Sequence, residues 1–375
     1  MPTNNASRPI VYLAIELSAT SWVVACRQPM NEKIKLHRME AGDCEALLAL
    51  ISDMRRKTAV EFSVDAIVAS CFEAGRDGFW LHRFLLAHGV INHVVEPTSI
   101  LVTRGARRAK TDRLDAQGLL RVLAAKFTGD HDACRVVNVP SVSEEDAKRP
   151  HREREYLVQD RIRIENRIAA LLATQGISKR PSLRSWEADL NAVQTGDGRS
   201  IPPLLKAELN RLRRRLVITL DMIREVEAER QQAVAEQDDP ASRTVAALCK
   251  LRGIGDNFAA VLTREIFYRS FENRRQIASY LGLAPTPFQS GGVDRDRRIN
   301  RAGNSRARKT LIQLAWLWLR YQPESSVAQW FRQRVGALQG RTRRIAIVAM
   351  ARKLLIAIWR FATLGIVPEG AIVAA

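Results

Sequence analysis

The chain is short of the features that mark a secreted, zinc-stabilised or membrane-inserted protein. Cysteine is sparse: Cys26, Cys44, Cys71, Cys134 and Cys249 are odd in number and far apart. No CxxC pair and no Cys/His ligand spacing occurs, which argues against structural zinc and a disulfide framework and for a reducing cytosol. No basic segment followed by a long apolar run opens the chain, so no secretory signal is expected. The apolar stretch from Ile345 to Phe361 is broken by Arg352, Lys353 and Arg360, which argues against a membrane span. Acid is also short relative to base: 59 Lys and Arg stand against 40 Asp and Glu, leaving a formal charge of +19. Such an excess implies a polyanionic partner. With the membrane argued against, nucleic acid is the favoured one.

At 375 residues two or three domains are expected. The charge is uneven: from Ala241 to Ala375 there are 23 Lys and Arg but 7 Asp and Glu, so this last third carries +16 of the +19. It is also rich in apolar residues and reads as a folded domain with a charged face. At the other end, "IVYLAIEL" (10–17), "SWVVACR" (21–27) and "KIKLHR" (33–38) read as strands and "EALLALISDMRR" as a helix. "DAIVASCFEAG" then reads as a buried strand, "GFWLHRFLLAHG" as a helix stopped by Gly89, and "NHVVEP" as a short strand. This mixed α/β order suits a ribonuclease-H-like domain over 8–137, although a flavodoxin-like sheet has a similar pattern.

A polar linker, "VPSVSEEDAKRPHRERE", is expected next, then a helical arm over 151–236 whose two long helices flank a Pro/Ser/Gly-rich loop at 176–203. Leu205, Leu209, Leu212, Leu216, Ile223 and Val226 have heptad spacing, broken once by Thr219, which predicts a coiled-coil or two-helix seam. The last domain, 240–368, is expected to be mostly helical. In "LCKLRGIGDNFAAVLTREI", Gly253 and Gly255 read either as the turn of a helix-hairpin-helix, whose backbone N–H groups face a phosphate, or as an ordinary glycine-capped connection.

Four acids invite a chemical reading. In "KTDRLDA", Asp112 and Asp115 stand three apart, so a helix would put both on one face, with Thr111 as its N-cap. Two solvated acids at a helix N-terminus are the plainer alternative. Glu16 lies among Leu13, Ile15 and Leu17, where a charge is costly unless compensated. Glu73 closes a buried strand at its carboxyl end, where α/β sheets place ligands. Acids from strand 1, a later strand and a following helix form the layout that holds two divalent cations in ribonuclease-H-like nucleases. Mg²⁺ suits hard oxygen ligands unaccompanied by histidine or thiol. Arg104, Arg107, Arg108, Lys110 and Arg113 around the aspartates would offset phosphate charge.

In "YLGLAPTPFQSGGVDRDRRINRAGNSRARKTL", Ser290 precedes two glycines, and Arg295, Arg297, Arg298, Arg301, Arg306, Arg308 and Lys309 follow. A serine needs a base or a stabilising field to act as a nucleophile, and arginines stabilise a transferring phosphoryl group. A flexible loop beside a DNA-contacting face is the alternative. Ser305 has an equally basic setting.

The set "AIELS", "FEAG", "KTDRLDA", "LRGIG", "YLGLAPTPFQSGG" and "RAGN" resembles the transposases of insertion-sequence family one-ten, the Piv/MooV group of DNA recombinases, from about Ile10 to Phe361. The resemblance implies a RuvC-like DEDD domain carried onto Glu16, Glu73, Asp112 and Asp115, binding Mg²⁺. It also implies Ser290 as a nucleophile forming a covalent phosphoserine with DNA. Nucleic acid contacts are expected from Arg107, Arg108, Lys110, Gly253, Gly255, Arg295, Arg297, Arg298, Arg301, Asn304 and Arg306. Donor and target DNA, a structured guide ("bridge") RNA and a homo-oligomer, dimer or tetramer, are the implied partners, in the cytoplasm of a bacterium or archaeon, at the nucleoid. Glu16 departs from the family's aspartate and carries its carboxylate about 1.5 Å, one carbon–carbon bond, further out. A RuvC-type junction nuclease and a catalytically decayed DNA- or RNA-binding protein are the competing readings.

Overall fold

The computed structural model describes residues 8–100, 111–236, 238–290, 293–299, 301–336 and 339–374, with the backbone alone for 286–290 and 293–298. Contacts divide the chain into two units, Met1–Pro140 and Ser141–Ala375.

The first unit is a three-layer α/β domain. Its strands are β1 (Ile10–Leu17), β2 (Ser21–Arg27), β3 (Lys35–Glu40), β4 (Ile67–Glu73) and β5 (Ile91–Val95), in sheet order β3-β2-β1-β4-β5. β1 runs antiparallel to β2, and β2 to β3, whereas β4 is parallel to both β1 and β5. The antiparallel hairpins exclude the all-parallel flavodoxin-like sheet.

Alternation of side chains along the strands separates two cores. Val11, Leu13 and Ile15 of β1 and Val68 and Phe72 of β4 pack with Leu47, Ile51 and Met54 of α1 (Cys44–Phe62) and Leu81 and Leu85 of α2 (Trp80–Ala87). Tyr12, Ala14, Ala69 and Cys71 face the other way, against Ala116, Leu119, Leu120 and Leu123 of α3 (Asp112–Phe127). Full burial of the three leucines contributes roughly 1.5–3 kcal/mol each.

The second unit opens with α4 (Val142–Asp146) and α5 (Arg149–Ala173). The expected polar linker is therefore mostly helical. Ser141 accepts from the Glu144 N–H while the Glu144 carboxylate accepts from the Ser141 N–H, a capping box that starts α4. α5 packs along α7 (Pro203–Glu236), with the short α6 (Trp186–Ala192) between them in sequence. Ile164, Ile168 and Leu172 share a core with Leu209, Leu212 and Leu216. Thr219, the break in the heptad pattern, is buried in the α7 stripe with its hydroxyl donated to the Arg215 carbonyl at 2.8 Å.

The remaining elements are α8 (Pro240–Cys249), α9 (Asp256–Leu262) running into a π-helical turn (Thr263–Phe267), and α10 (Arg274–Tyr280). A hairpin of β6 (Pro285–Ser290) and β7 (Val293–Ile299) follows, then α11 (Ser305–Tyr321), α12 (Ser326–Val335) and α13 (Gly340–Leu364). One core joins the helices, with Trp318 wholly buried and its indole N–H donated to Ser325 Oγ at 2.8 Å. No helix among the described residues is long and apolar enough to cross a membrane.

Candidate active site

The acids of the first unit are arranged by its two cores. The β1–β4 register runs to Ile15 opposite Phe72, so Glu16 and Glu73 are the next residue on each strand. By alternation both continue the rows Tyr12–Ala14 and Ala69–Cys71 that face α3. Asp112 and Asp115 are in the first turn of α3, one turn before Ala116 and Leu119, which pack on that same sheet face. Thr111 caps the helix as expected, accepting from the Leu114 N–H at 3.3 Å. All four carboxylates thus extend the α3–sheet interface past the carboxyl edge of the parallel strands.

Their settings differ. Glu16 and Asp115 are half-buried, Glu73 and Asp112 exposed. Asp115 Oδ2 is buried without a hydrogen-bond partner among the described residues, a state that costs free energy unless something else satisfies it. Four carboxylates are a hard donor set of the kind that suits Mg²⁺. Among the described residues, however, no three His, Cys, Asp or Glu side chains gather closely enough to hold a metal ion. Chemistry and face fit a cation; the described side-chain positions stop short of a closed ligand set. Arg107, Arg108 and Lys110 lie outside the described residues.

In the second unit Ser290 ends β6 and pairs with Val293 across the hairpin tip. Its side chain, and those of Arg295, Arg297 and Arg298 on β7, are outside the described part. The base of the hairpin is well defined. Gly282 (φ +63°) and Gly303 (φ +82°) take the left-handed backbone, and a Cβ on either would strike a main-chain oxygen, that of Ala302 or of Tyr280. The Asn304 N–H donates to the Tyr280 carbonyl at 2.9 Å, and Arg308 Nη1 to the Leu281 carbonyl at 2.8 Å. The chain entering the hairpin is thereby stitched to the chain leaving it. Arg301 (φ +61°) is exposed at this crossing, and Ser305 is exposed in the first turn of α11.

Sequence reasoning passed over Glu265, which sits in the π-helical turn with its side chain 2% exposed. Arg152 straddles its carboxylate, Nε to Oε1 at 2.7 Å and Nη2 to Oε2 at 3.0 Å. The fully buried His151 holds Oε1 at 2.9 Å and Asn304 Nδ2 donates to Oε2 at 3.0 Å. Burial alone would raise the Glu265 pKa, but the hydrogen bonds from His151 and Arg152 win and hold it well below the usual carboxylate range. A carboxylate only accepts, so His151 Nε2 carries the proton it donates. Burial pushes the His151 pKa down, against the pull of Glu265. Two residues expected to touch nucleic acid take part in this network. Asn304 also caps α11, accepting from the Ala307 N–H at 3.0 Å, and Arg306 pairs with Glu155 and lies 3.7 Å from Glu265 Oε1. The signal available was position: Glu265 falls three after Leu262 and one before Ile266, both wholly buried.

At the α8–α9 connection Gly253 (φ +95°) is required twice, by its backbone and by Tyr321, whose Cβ would be 3.0 Å from an added Cβ. Gly255 has an ordinary φ of −92° and nothing within 4 Å of an added Cβ. A groove of about 600 Å³ opens here, lined by Arg230, Arg252, both glycines, Asn257 and Tyr321.

A mixed α/β domain with acids at its strand ends, joined to a basic helical unit, describes a class of DNA-processing protein. The particular kinship comes from other chains. Residues 245–329 match the model of the transposase IS116/IS110/IS902 family. Over 372 residues the chain is 42% identical to y4rJ of Sinorhizobium fredii, a protein assigned as a transposase, covering 96% of this chain and 94% of that one. The transposase of insertion sequence IS1111A from Coxiella burnetii is 24% identical over 313 residues, 82% of this chain and 80% of its own. That of IS1328 from Yersinia enterocolitica is 28% identical over 221 residues, 58% and 63%. The chain belongs to the IS110 family of insertion-sequence transposases.

Proposed function

We propose that this transposase is a site-specific recombinase whose first unit is a RuvC-like metal-binding domain and whose Ser290 is the nucleophile. What supports the metal-binding part is that Glu16 and Glu73, by strand alternation, continue the sheet face that α3 covers, that α3 carries Asp112 and Asp115 in its first turn, and that Asp115 Oδ2 is buried and unsatisfied. Glu16, Glu73, Asp112 and Asp115 would hold Mg²⁺. When bound, that ion polarises the phosphodiester and stabilises its attacking and departing oxygens.

The chain's own groups do the rest. Capped by Thr111 and seated by Leu119 and Leu120, the first turn of α3 fixes the aspartate backbone, so side-chain movement would be left to close the ligand set. The serine oxygen would bond to phosphorus as the bond from phosphorus to one DNA oxygen breaks, the hydroxyl proton ending on that departing oxygen, and the phosphoserine ester would conserve the bond energy for rejoining. Glu16 in place of aspartate is accommodated in this reading by its half-buried position at the end of β1. The glycine turn at 253–255 acts as a helix-hairpin-helix contact to phosphate, the α5–α7 arm supports the oligomer, and a structured RNA selects the DNA; these rest on the family resemblance.

The test uses purified full-length protein with DNA bearing the element's ends and any RNA that co-purifies. Asp112→Ala and Asp115→Ala are expected to lower recombination at least a hundredfold while changing DNA affinity by less than about twofold, since neither acid attracts phosphate. Ser290→Ala is expected to abolish both exchange and the covalent protein–DNA adduct, read on a denaturing gel. Adduct formation that survives Ser290→Ala would overturn the serine assignment, and full recombination by the aspartate variants would overturn the metal-site assignment.

A further inference from the structure

Between Glu324 and Glu369 the chain has no acidic residue and no histidine, yet it carries eight Lys and Arg. Most of this segment is α12 and α13. α13 buries Ile347, Met350, Ala351, Leu354, Leu355 and Ile358 against the core. At 3.6 residues per turn, Arg341, Arg352, Lys353 and Arg360 fall on the opposite side, in a stripe about 28 Å long. Arg341, Lys353 and Arg360 are exposed and Arg352 is half-buried. None of the four has an ion-pair partner among the described residues.

Several exposed cations on other helices are paired with an acid on the same helix. Arg56 pairs with Asp53 on α1, Arg163 with Asp160 on α5 and Arg224 with Asp221 on α7. The α13 stripe has no such neighbours, and aromatic rings buttress its flank instead. Lys353 Nζ stands 4.8 Å from the Trp330 ring centre, and Arg343 lies 5.1 Å from that of Trp316. Unpaired like charges along one rigid helix repel each other, a cost relieved when a polyanion lies across them.

We propose that this stripe is a sequence-independent docking surface for the backbone of duplex DNA outside the reacting segment. Its length matches roughly 8 base pairs, so its four cations would meet some of the phosphates along that span. The polyanion follows from membership of a transposase family, and the surface from charge and geometry; neither the carboxylates nor Ser290 enters the inference.

The experiment measures binding of the full-length protein to a duplex of about 30 base pairs of arbitrary sequence, by fluorescence anisotropy across a KCl series. A triple variant, Arg341→Gln, Lys353→Gln and Arg360→Gln, is compared with a control triple, Arg56→Gln, Arg163→Gln and Arg224→Gln, which removes the same net charge at acid-paired sites. The slope of log affinity against log salt is expected to fall by about 2–3 in the stripe variant and by less than about 1 in the control. The three single variants repeat the measurement at about 0.9 per site, and thermal midpoints check that each protein is folded. Equal slopes for the two triples would overturn the proposal. So would a stripe variant that binds duplex DNA normally but loses affinity for a single-stranded RNA of the same length, which would make the surface an RNA contact.

Discussion

Glu265 is a carboxylate taken almost fully out of water, and its four side-chain partners come from two distant stretches, His151 and Arg152 from α5, Asn304 and Arg306 around the start of α11. Removing the carboxylate leaves a neutral imidazole without its acceptor and a partly buried guanidinium without its counter-charge. Glu265→Ala is expected to destabilise the second unit by roughly 3–5 kcal/mol, read as a lowered urea midpoint. The pH dependence has two parts of the same sign. Because the Glu265 pKa is depressed, its contribution is complete above the ordinary carboxylate value of about 4.3 and is lost only as pH falls below that value towards the depressed one. His151 is also depressed, by burial, so the unfolded chain takes up its proton first. Its effect is a loss of stability as pH drops below about 6.5. Melting between pH 7.5 and about 5.5 should therefore show a decline that His151→Gln reduces; an identical decline in the variant would assign the effect to other histidines.

Among the elements, the β6–β7 hairpin is held at its base by glycines that do different work from those at the α8–α9 turn. Gly303→Ala puts a methyl group onto the Tyr280 carbonyl oxygen in a left-handed backbone, an expected cost of about 1–3 kcal/mol. Loosening the base should expose the hairpin, so limited proteolysis is expected to cut within 285–299 faster in the variant than in the parent. Gly255→Ala is the contrast: with ordinary φ and open space it should leave stability within about 0.5 kcal/mol. A weakened affinity for DNA in that variant would speak for backbone contact with phosphate at the turn, and unchanged affinity would make Gly255 an ordinary connection. The linker expected at 139–155 shows how local polarity misleads. Its Ser141–Glu144 capping box is a helix start, and its His151 and Arg152 are polar because a buried acid waits for them.

As a whole the protein is two units with separate cores, and the basic charge is concentrated in the second: residues 241–375 alone carry +16. A fragment beginning at Ser141 retains the α5–α7 seam, the helical core and the Glu265 network intact. It is expected to fold cooperatively and to bind duplex DNA with a salt slope close to that of the full chain, while lacking every carboxylate of the candidate metal site. A fragment that melts without a transition would show that the first unit supplies stability the two cores do not reveal.

Hydrophobic period and turn chemistry are local properties, and so the order of strands and helices in the first unit, the Thr111 cap and the α7 stripe could be read along the chain. The motif residues "KTDRLDA" and "GLAP" likewise pointed to the family without coordinates. Strand direction and order depend on which surfaces meet, and only the folded sheet separated the mixed arrangement from a parallel one and put Glu16 and Glu73 each one residue beyond the last β1–β4 pair. That Asn304 and Arg306 join the network of a single buried carboxylate 39 and 41 positions away is likewise visible only in the fold. Desolvation is a property of three-dimensional enclosure, and no one-dimensional pattern states which charge will be enclosed or what will compensate it.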